Sequence, residues 1–136
     1  MVRVAIFPGS FDPFHDGHKF IVEEALKDFD LIYIIISWNE NKVRTYDFQT
    51  IFEQINQIYF NHPSIKILIN ENDLTVNWAR KLNCFNIIRG YRNQKDLKYE
   101  KKLANDYLLD QPNLNFFYYH HKKYQKISST KIKSML

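Results

Sequence analysis

The chain has 136 residues, 45% of them hydrophobic and 25% charged, a globular composition that suits one domain over 1–136 and excludes a disordered or fibrous chain. Its formal charge of +4, from 19 Lys+Arg against 15 Asp+Glu, is too mild to point to a nucleic acid or a membrane, and one cysteine excludes an internal disulfide. No apolar run approaches the roughly 20 residues of a membrane span and no secretory pattern precedes the first strand, so the expected location is the cytoplasm.

An apolar run from Val2 to Phe7 reads as a strand that breaks at Pro8-Gly9. The chain then passes through a tight loop carrying Ser10, Asp12, His15 and His18 into a helix starting near Gly17. A strand that feeds a helix in this way leaves backbone N–H groups free where the helix dipole favours negative charge, which outlines a phosphate site. His15-x-Gly17-His18 adds two imidazoles at the same place, and Gly17 lets a ligand approach the backbone.

Lys19 to Phe29 is an amphipathic helix, and Leu31 to Ile36 is a β-branched run of the kind found in parallel strands buried on both faces. A polar stretch from Ser37 to Tyr46 holds Lys42 and Arg44. Asp47 caps a helix over Phe48 to Phe60, which His62-Pro63 stops. Ile65 to Ile69 is a third strand, Leu74 to Leu82 a short helix, and Phe85 to Ile88 a fourth strand. That strand enters a second candidate anion site, the turn Arg89-Gly90-Tyr91-Arg92. A helix over Asp96 to Leu109, a strand over Asn115 to Tyr119 and a final helix over Thr130 to Leu136, capped by Ser128 or Ser129, complete the chain.

Strands alternating with helices predict a Rossmann-like, doubly wound α/β fold with a five-stranded parallel sheet. Ligands of such sheets bind beyond the carboxyl ends of the strands, where strand order reverses. Ser10 to His18, Ser37 to Arg44, Glu71 to Asn77 and Arg89 to Arg92 should therefore converge there. His120 and His121 are neighbours on a strand and face opposite ways, and no Cys/His cluster has zinc spacing, so no protein metal site is expected.

Pro8-Gly9-Ser10-Phe11-Asp12-Pro13 followed by His15-x-Gly17-His18 resembles the opening signature of the nucleotidyltransferase superfamily with an (H/T)xGH motif. Arg89-Gly90-Tyr91-Arg92, Asp96, Tyr99-Glu100 and Ile127-Ser128-Ser129-Thr130 resemble, within it, the phosphopantetheine adenylyltransferase family. The resemblance implies transfer of an adenylyl group from ATP to 4′-phosphopantetheine, giving dephospho-coenzyme A and pyrophosphate without a covalent enzyme intermediate. It also implies Mg²⁺ carried by ATP, coenzyme A as a feedback ligand, and a homohexamer built as two trimers. Trp78, Phe116, Phe117 and Tyr118 exceed what so small a core needs, in keeping with an assembly.

By that resemblance His18 meets the α-phosphate in the transition state, with Ser10 between ATP and the acceptor, and Lys42 and Arg89 on the acceptor phosphate. Thr75 contacts the acceptor through its backbone. ATP is held by Phe11, His15, Gly90, Tyr91, Arg92 and Glu100, and by the late segment Tyr124, Gln125, Lys126, Ile127, Ser128, Ser129 and Thr130. Ser10, His18, Lys42 and Arg92 form the catalytic set. Two rival readings share part of the pattern: a nicotinate mononucleotide adenylyltransferase, which has the His-x-Gly-His and Ile-Ser-Ser-Thr segments, and a non-catalytic nucleotide- or RNA-binding module.

Overall fold

The computed structural model describes residues 2–39 and 41–121. The late segment Tyr124 to Thr130 and the final helix expected over Thr130 to Leu136 lie outside the described residues. The elements alternate as β1 (Val4–Gly9), α1 (Asp16–Ala25), β2 (Leu31–Ser37), α2 (Phe48–Ile58), β3 (Ile65–Asn70), α3 (Thr75–Leu82), β4 (Asn86–Tyr91), α4 (Gln94–Asp110) and β5 (Asn115–His120). All strands are parallel, in the order β3-β2-β1-β4-β5. This is the doubly wound sheet expected, with its reversal of order between β1 and β4. Among the described residues no helix is long and apolar enough to cross a membrane.

Strand alternation sends the apolar residues to two cores. Ala5, Phe7, Ile32, Ile34 and Ile36 pack on one face with Ile21, Val22 and Ala25 of α1 and Ile51 and Ile55 of α2. Ile6, Ile35 and Ile87 pack on the other with Val76 and Ala79 of α3, and Tyr107 and Leu108 of α4 close the same face. Ile32, Ile34, Ile35 and Ile36 are fully buried because helices cover the strand on both sides. Trp78 and Phe116 pack against the second core, and Phe117 meets Phe29 edge-on at 5.0 Å between centroids. Much of the aromatic excess is thus used within the chain.

The seam between β1 and β4 is the least regular part of the sheet. β1 runs in register with β2 from Val4↔Leu31 to Gly9↔Ile36, but meets β4 in register at Ile6↔Ile87. Side chains of β4 bridge to β1 on either side of that pair: Asn86 Nδ2 donates to the Val4 carbonyl at 2.9 Å, and Arg89 Nη1 to the Pro8 carbonyl at 3.3 Å. Pro8 and Gly9 therefore continue the strand rather than break it. The Pro8 carbonyl faces β4, so the N–H that proline lacks falls on the side where the ladder has already ended, and nothing is lost.

Other boundaries shift for local reasons. Arg89, Gly90 and Tyr91 belong to β4, paired with Tyr118, Tyr119 and His120 of β5, and do not form a turn. α1 starts one residue early, at Asp16, because His15 caps it, and ends at Ala25 where Lys27 and Asp28 donate to carbonyls three residues back. α4 starts at Gln94, ahead of the expected Asp96, because the Asn93 side chain accepts from the Asp96 N–H at 2.9 Å. α2 is capped by Asp47 as expected but ends at Ile58, two residues before the expected Phe60, and Ile58 is exposed.

Candidate active site

The parting of β1 from β4 opens a cavity of about 390 Å³ at their carboxyl ends. β1 and the loop after it supply Gly9, Ser10 and Phe11, the N-cap and first turn of α1 supply His15 and His18, the loop after β2 supplies Lys42, and β4 with its following loop supplies Arg89, Gly90 and Arg92. Asp96 and Glu100 of α4 close it, together with His121 just after β5. Three of the four expected motif regions converge here. Glu71 to Asn77 does not line the cavity: Thr75 opens α3, and Asp73 is tied to Trp38 and Asn70 through its backbone. Tyr91 is also outside the lining and stacks on His120 at 4.9 Å.

His15 and His18 cap α1 reciprocally. The Gly17 N–H donates to His15 Nδ1 at 3.0 Å, and the His15 N–H donates to His18 Nδ1 at 3.1 Å. This is a capping box built from two imidazoles, and it consumes the Gly17 N–H that the sequence left free for phosphate. It also fixes both tautomers, since a neutral ring that accepts at Nδ1 carries its proton on Nε2. The His18 ring stacks on His15 at 3.8 Å and on Phe14 at 5.3 Å, with Phe11 edge-on at 5.0 Å. Its donor is thereby held in one orientation.

Burial, then His15 and His121, push the His18 pKa well below 6.5. Burial, then His121, lower that of His15 to about 4. Both rings are neutral at pH 7 and can donate from Nε2 without bringing a charge. Gly17 serves packing as much as ligand access, because a Cβ there would stand 2.8 Å from His15 Cε1.

Phe11 adopts a positive φ of 45° and folds its ring over Gly9, where a Cβ would meet it at 2.8 Å. Its ring is core, so only its backbone can serve a ligand. The Ser10 hydroxyl has no side-chain partner among the described residues. Asp12 orders the neighbouring loop, accepting from the Thr45 and Tyr46 N–H groups at 2.8 Å each. That pair of bonds ties the Lys42 segment to the loop after β1. Lys42 is exposed and forms no ion pair among the described residues.

The remaining charges are paired. Arg89 donates to Glu100 through Nε at 2.8 Å and Nη2 at 3.0 Å. Burial opposes its charge, but Glu100 more than offsets this and holds its pKa above the usual value. Arg92 donates through Nε to Asp96 at 2.8 Å, which keeps the Asp96 carboxyl below its usual range. Gly90 provides clearance for α1, since a Cβ there would overlap Ile21 Cδ1. Of the lining, the sequence reading gave no role to Ile21 or His121; Asp96 entered only by resemblance.

A family model described as cytidylyltransferase-like matches residues 6–135. The chain is 40% identical over 118 residues to a phosphopantetheine adenylyltransferase of Mycoplasma capricolum subsp. capricolum, covering 87% of this chain and 84% of that one. It is 40% identical over 104 residues to a protein of the same name from Bacteroides thetaiotaomicron, covering 76% and 68%. Its fold resembles that of Plasmodium falciparum nicotinic acid mononucleotide adenylyltransferase complexed with NaAD, with a TM-score of 0.68 at 17% identity over 98% of this chain and 83% of that one. With the two-histidine cap and the paired arginines gathered at the switch point of the sheet, these similarities show that the chain belongs to the phosphopantetheine adenylyltransferase family of cytidylyltransferase-like nucleotidyltransferases.

Proposed function

We propose that the chain transfers the adenylyl group of ATP to 4′-phosphopantetheine, making dephospho-coenzyme A and pyrophosphate in a step of coenzyme A synthesis. An oxygen of the acceptor phosphate attacks the α-phosphorus in line, a new P–O bond forms, and the bond to the bridging oxygen of pyrophosphate breaks. Such a reaction asks the protein to position two anions and stabilise spreading charge. The observation that carries the reading is one neutral, oriented imidazole donor, His18, lining the same cavity as Ser10, Lys42, Arg89 and Arg92.

His18 donates to a nonbridging oxygen of the α-phosphate as charge builds on it. Lys42, which of the lysine and arginine side chains lining the cavity has no ion-pair partner among the described residues, and Arg89 take the acceptor phosphate. Ser10 lies between the reactants, Phe11 offers backbone, and Arg92 holds the triphosphate. Gly90, Tyr91, Glu100 and the Tyr124 to Thr130 segment complete the nucleotide site in this reading, and Thr75 the acceptor site. Magnesium fits only as an ion carried on the phosphates and held by water, because the two carboxylates of the cavity, Asp96 and Glu100, are engaged by Arg92 and Arg89. It would supply charge neutralisation on the leaving pyrophosphate.

Family membership also supports a cytoplasmic hexamer of two trimers that takes coenzyme A as a feedback ligand. Light scattering at micromolar concentration tests the assembly, and a monomer would refute it. The reaction is tested by pyrophosphate release from ATP with 4′-phosphopantetheine, nicotinate mononucleotide or no acceptor. Turnover confined to the first is the expected result; equal turnover with the second would overturn it.

A further inference from the structure

We propose that His121 is a third imidazole of the nucleotide site, donating from the distal nitrogen of its ring to an oxygen of the bound triphosphate. The proposal rests on the reading of this cavity as an ATP site. The residue follows β5 directly, and its backbone N–H is anchored on the Tyr91 carbonyl at 3.1 Å. Its ring is wedged between Gly17 and Gly90. A Cβ on Gly17 would stand 3.3 Å from Nδ1, and a Cβ on Gly90 would stand 3.4 Å from Cδ2. Both near edges of the ring are thus covered, which leaves Cε1 and Nε2 as its remaining edge, and the residue lines the cavity with Arg92 and His15.

The residue is 7% exposed, and its Nδ1 is buried with no hydrogen-bond partner among the described residues. A buried nitrogen left unpaired is destabilising, a cost that an apolar ring of the same shape would not incur. A space-filling role therefore does not account for a histidine here. The imidazole places its proton on Nε2, because an N–H at Nδ1 would have no acceptor among the described residues. Burial, then Arg92, lower its pKa, so the ring is a neutral donor like His15 and His18. A metal-binding role is not supported: no group of His, Cys, Asp and Glu among the described residues is arranged to hold an ion, and the Nδ1 atoms of His15 and His18 are taken by backbone N–H groups.

The test compares wild type, His121→Phe and His121→Gln in the full chain. Phenylalanine keeps the wedge and removes the donor, whereas a glutamine amide reaches about as far as the distal nitrogen. Calorimetry with the unreactive α,β-methylene-ATP should show roughly tenfold weaker binding by His121→Phe, the low end for a bond to a charged group. Most of the affinity should return in His121→Gln. The KM for ATP should rise in parallel, with kcat within about threefold and the KM for 4′-phosphopantetheine unchanged. Wild-type affinity in a folded His121→Phe would overturn the proposal. Should that variant fail to fold, long-range ¹⁵N spectra of the wild-type histidines decide. A proton on Nε2 and a His121 resonance that moves on adding the analogue support the proposal; an unmoved resonance rejects it. A wild type that does not bind the analogue at all refutes the ATP reading of the whole cavity, an outcome distinct from failure at His121 alone.

Discussion

Arg89 and Glu100 grip each other through two bonds, at 2.8 and 3.0 Å, while the third guanidinium nitrogen of Arg89 reaches the Pro8 carbonyl across the sheet. Glu100 is therefore placed to aim Arg89, whatever else it contacts. For Glu100→Gln we expect a stability loss of roughly 2–3 kcal/mol, less than for a fully buried pair because both groups keep some contact with solvent. We also expect weaker binding of 4′-phosphopantetheine by calorimetry. If only ATP binding weakens, Glu100 is a sugar contact and does not position Arg89.

His18→Ala should lower kcat by roughly 10²–10³-fold, the loss seen for one donor to a developing oxyanion. ATP affinity should change by less than about tenfold, since Arg92 and the other phosphate contacts remain. Removing His18 also removes the acceptor for the His15 N–H, so circular dichroism and a melting curve must accompany the kinetics. A kcat within about threefold of wild type at saturation would place the transition-state donor elsewhere.

Lys42→Ala should weaken acceptor binding and spare ATP binding. Asp12→Ala should act in the same direction from a distance, because it releases the Thr45 and Tyr46 N–H groups that tether the Lys42 segment. Each lost bond to a buried carboxylate is worth about 1–3 kcal/mol, so Asp12→Ala should also lower the melting temperature, whereas Lys42→Ala should not. Loss of ATP binding in Lys42→Ala with acceptor binding intact would reverse the assignment.

The fold should weaken in mild acid before its carboxylates titrate. His15 is held near pKa 4 in the folded chain against an ordinary 6.5, so between these values the unfolded chain binds a proton that the folded chain does not. Stability is therefore flat well above pH 6.5 and falls as pH drops toward 4; His18, also held low, adds to the slope. His15→Asn keeps a good helix cap without a titrating group and should flatten part of that slope in urea midpoints measured across this range. An unchanged slope would mean that His15 titrates normally.

The sequence announces most of this architecture through local chemistry. The β-branched run at Ile32 to Ile36, the Asp47 cap and the helical spacing of α4 each fix an element without help from distant residues. What it conceals depends on register. Arg89-Gly90-Tyr91 has the composition of a turn, yet its glycine answers to Ile21 arriving from α1, a neighbour that exists only once the chain has folded. His15 reads as a ligand and is also a cap, because a rotamer and not a residue type decides whether Nδ1 turns to the backbone. His121 is anchored through Tyr91 on a strand far away in sequence, so the site to which it belongs cannot be read from its immediate neighbours.

The seam between β1 and β4 makes the sheet two leaves, β3-β2-β1 and β4-β5, spliced by one register pair and two side-chain bridges. Ser10 and His18 ride on one leaf, and Arg89 and Arg92 on the other. A nucleotide gripped from both sides is then a cross-brace, so the integrity of the sheet and the occupancy of its crevice form a single equilibrium. Saturation at a hundred times the dissociation constant should add about 2.7 kcal/mol to the unfolding free energy. Amide exchange should slow along β4 and β5 together, and not only at the residues that touch the ligand.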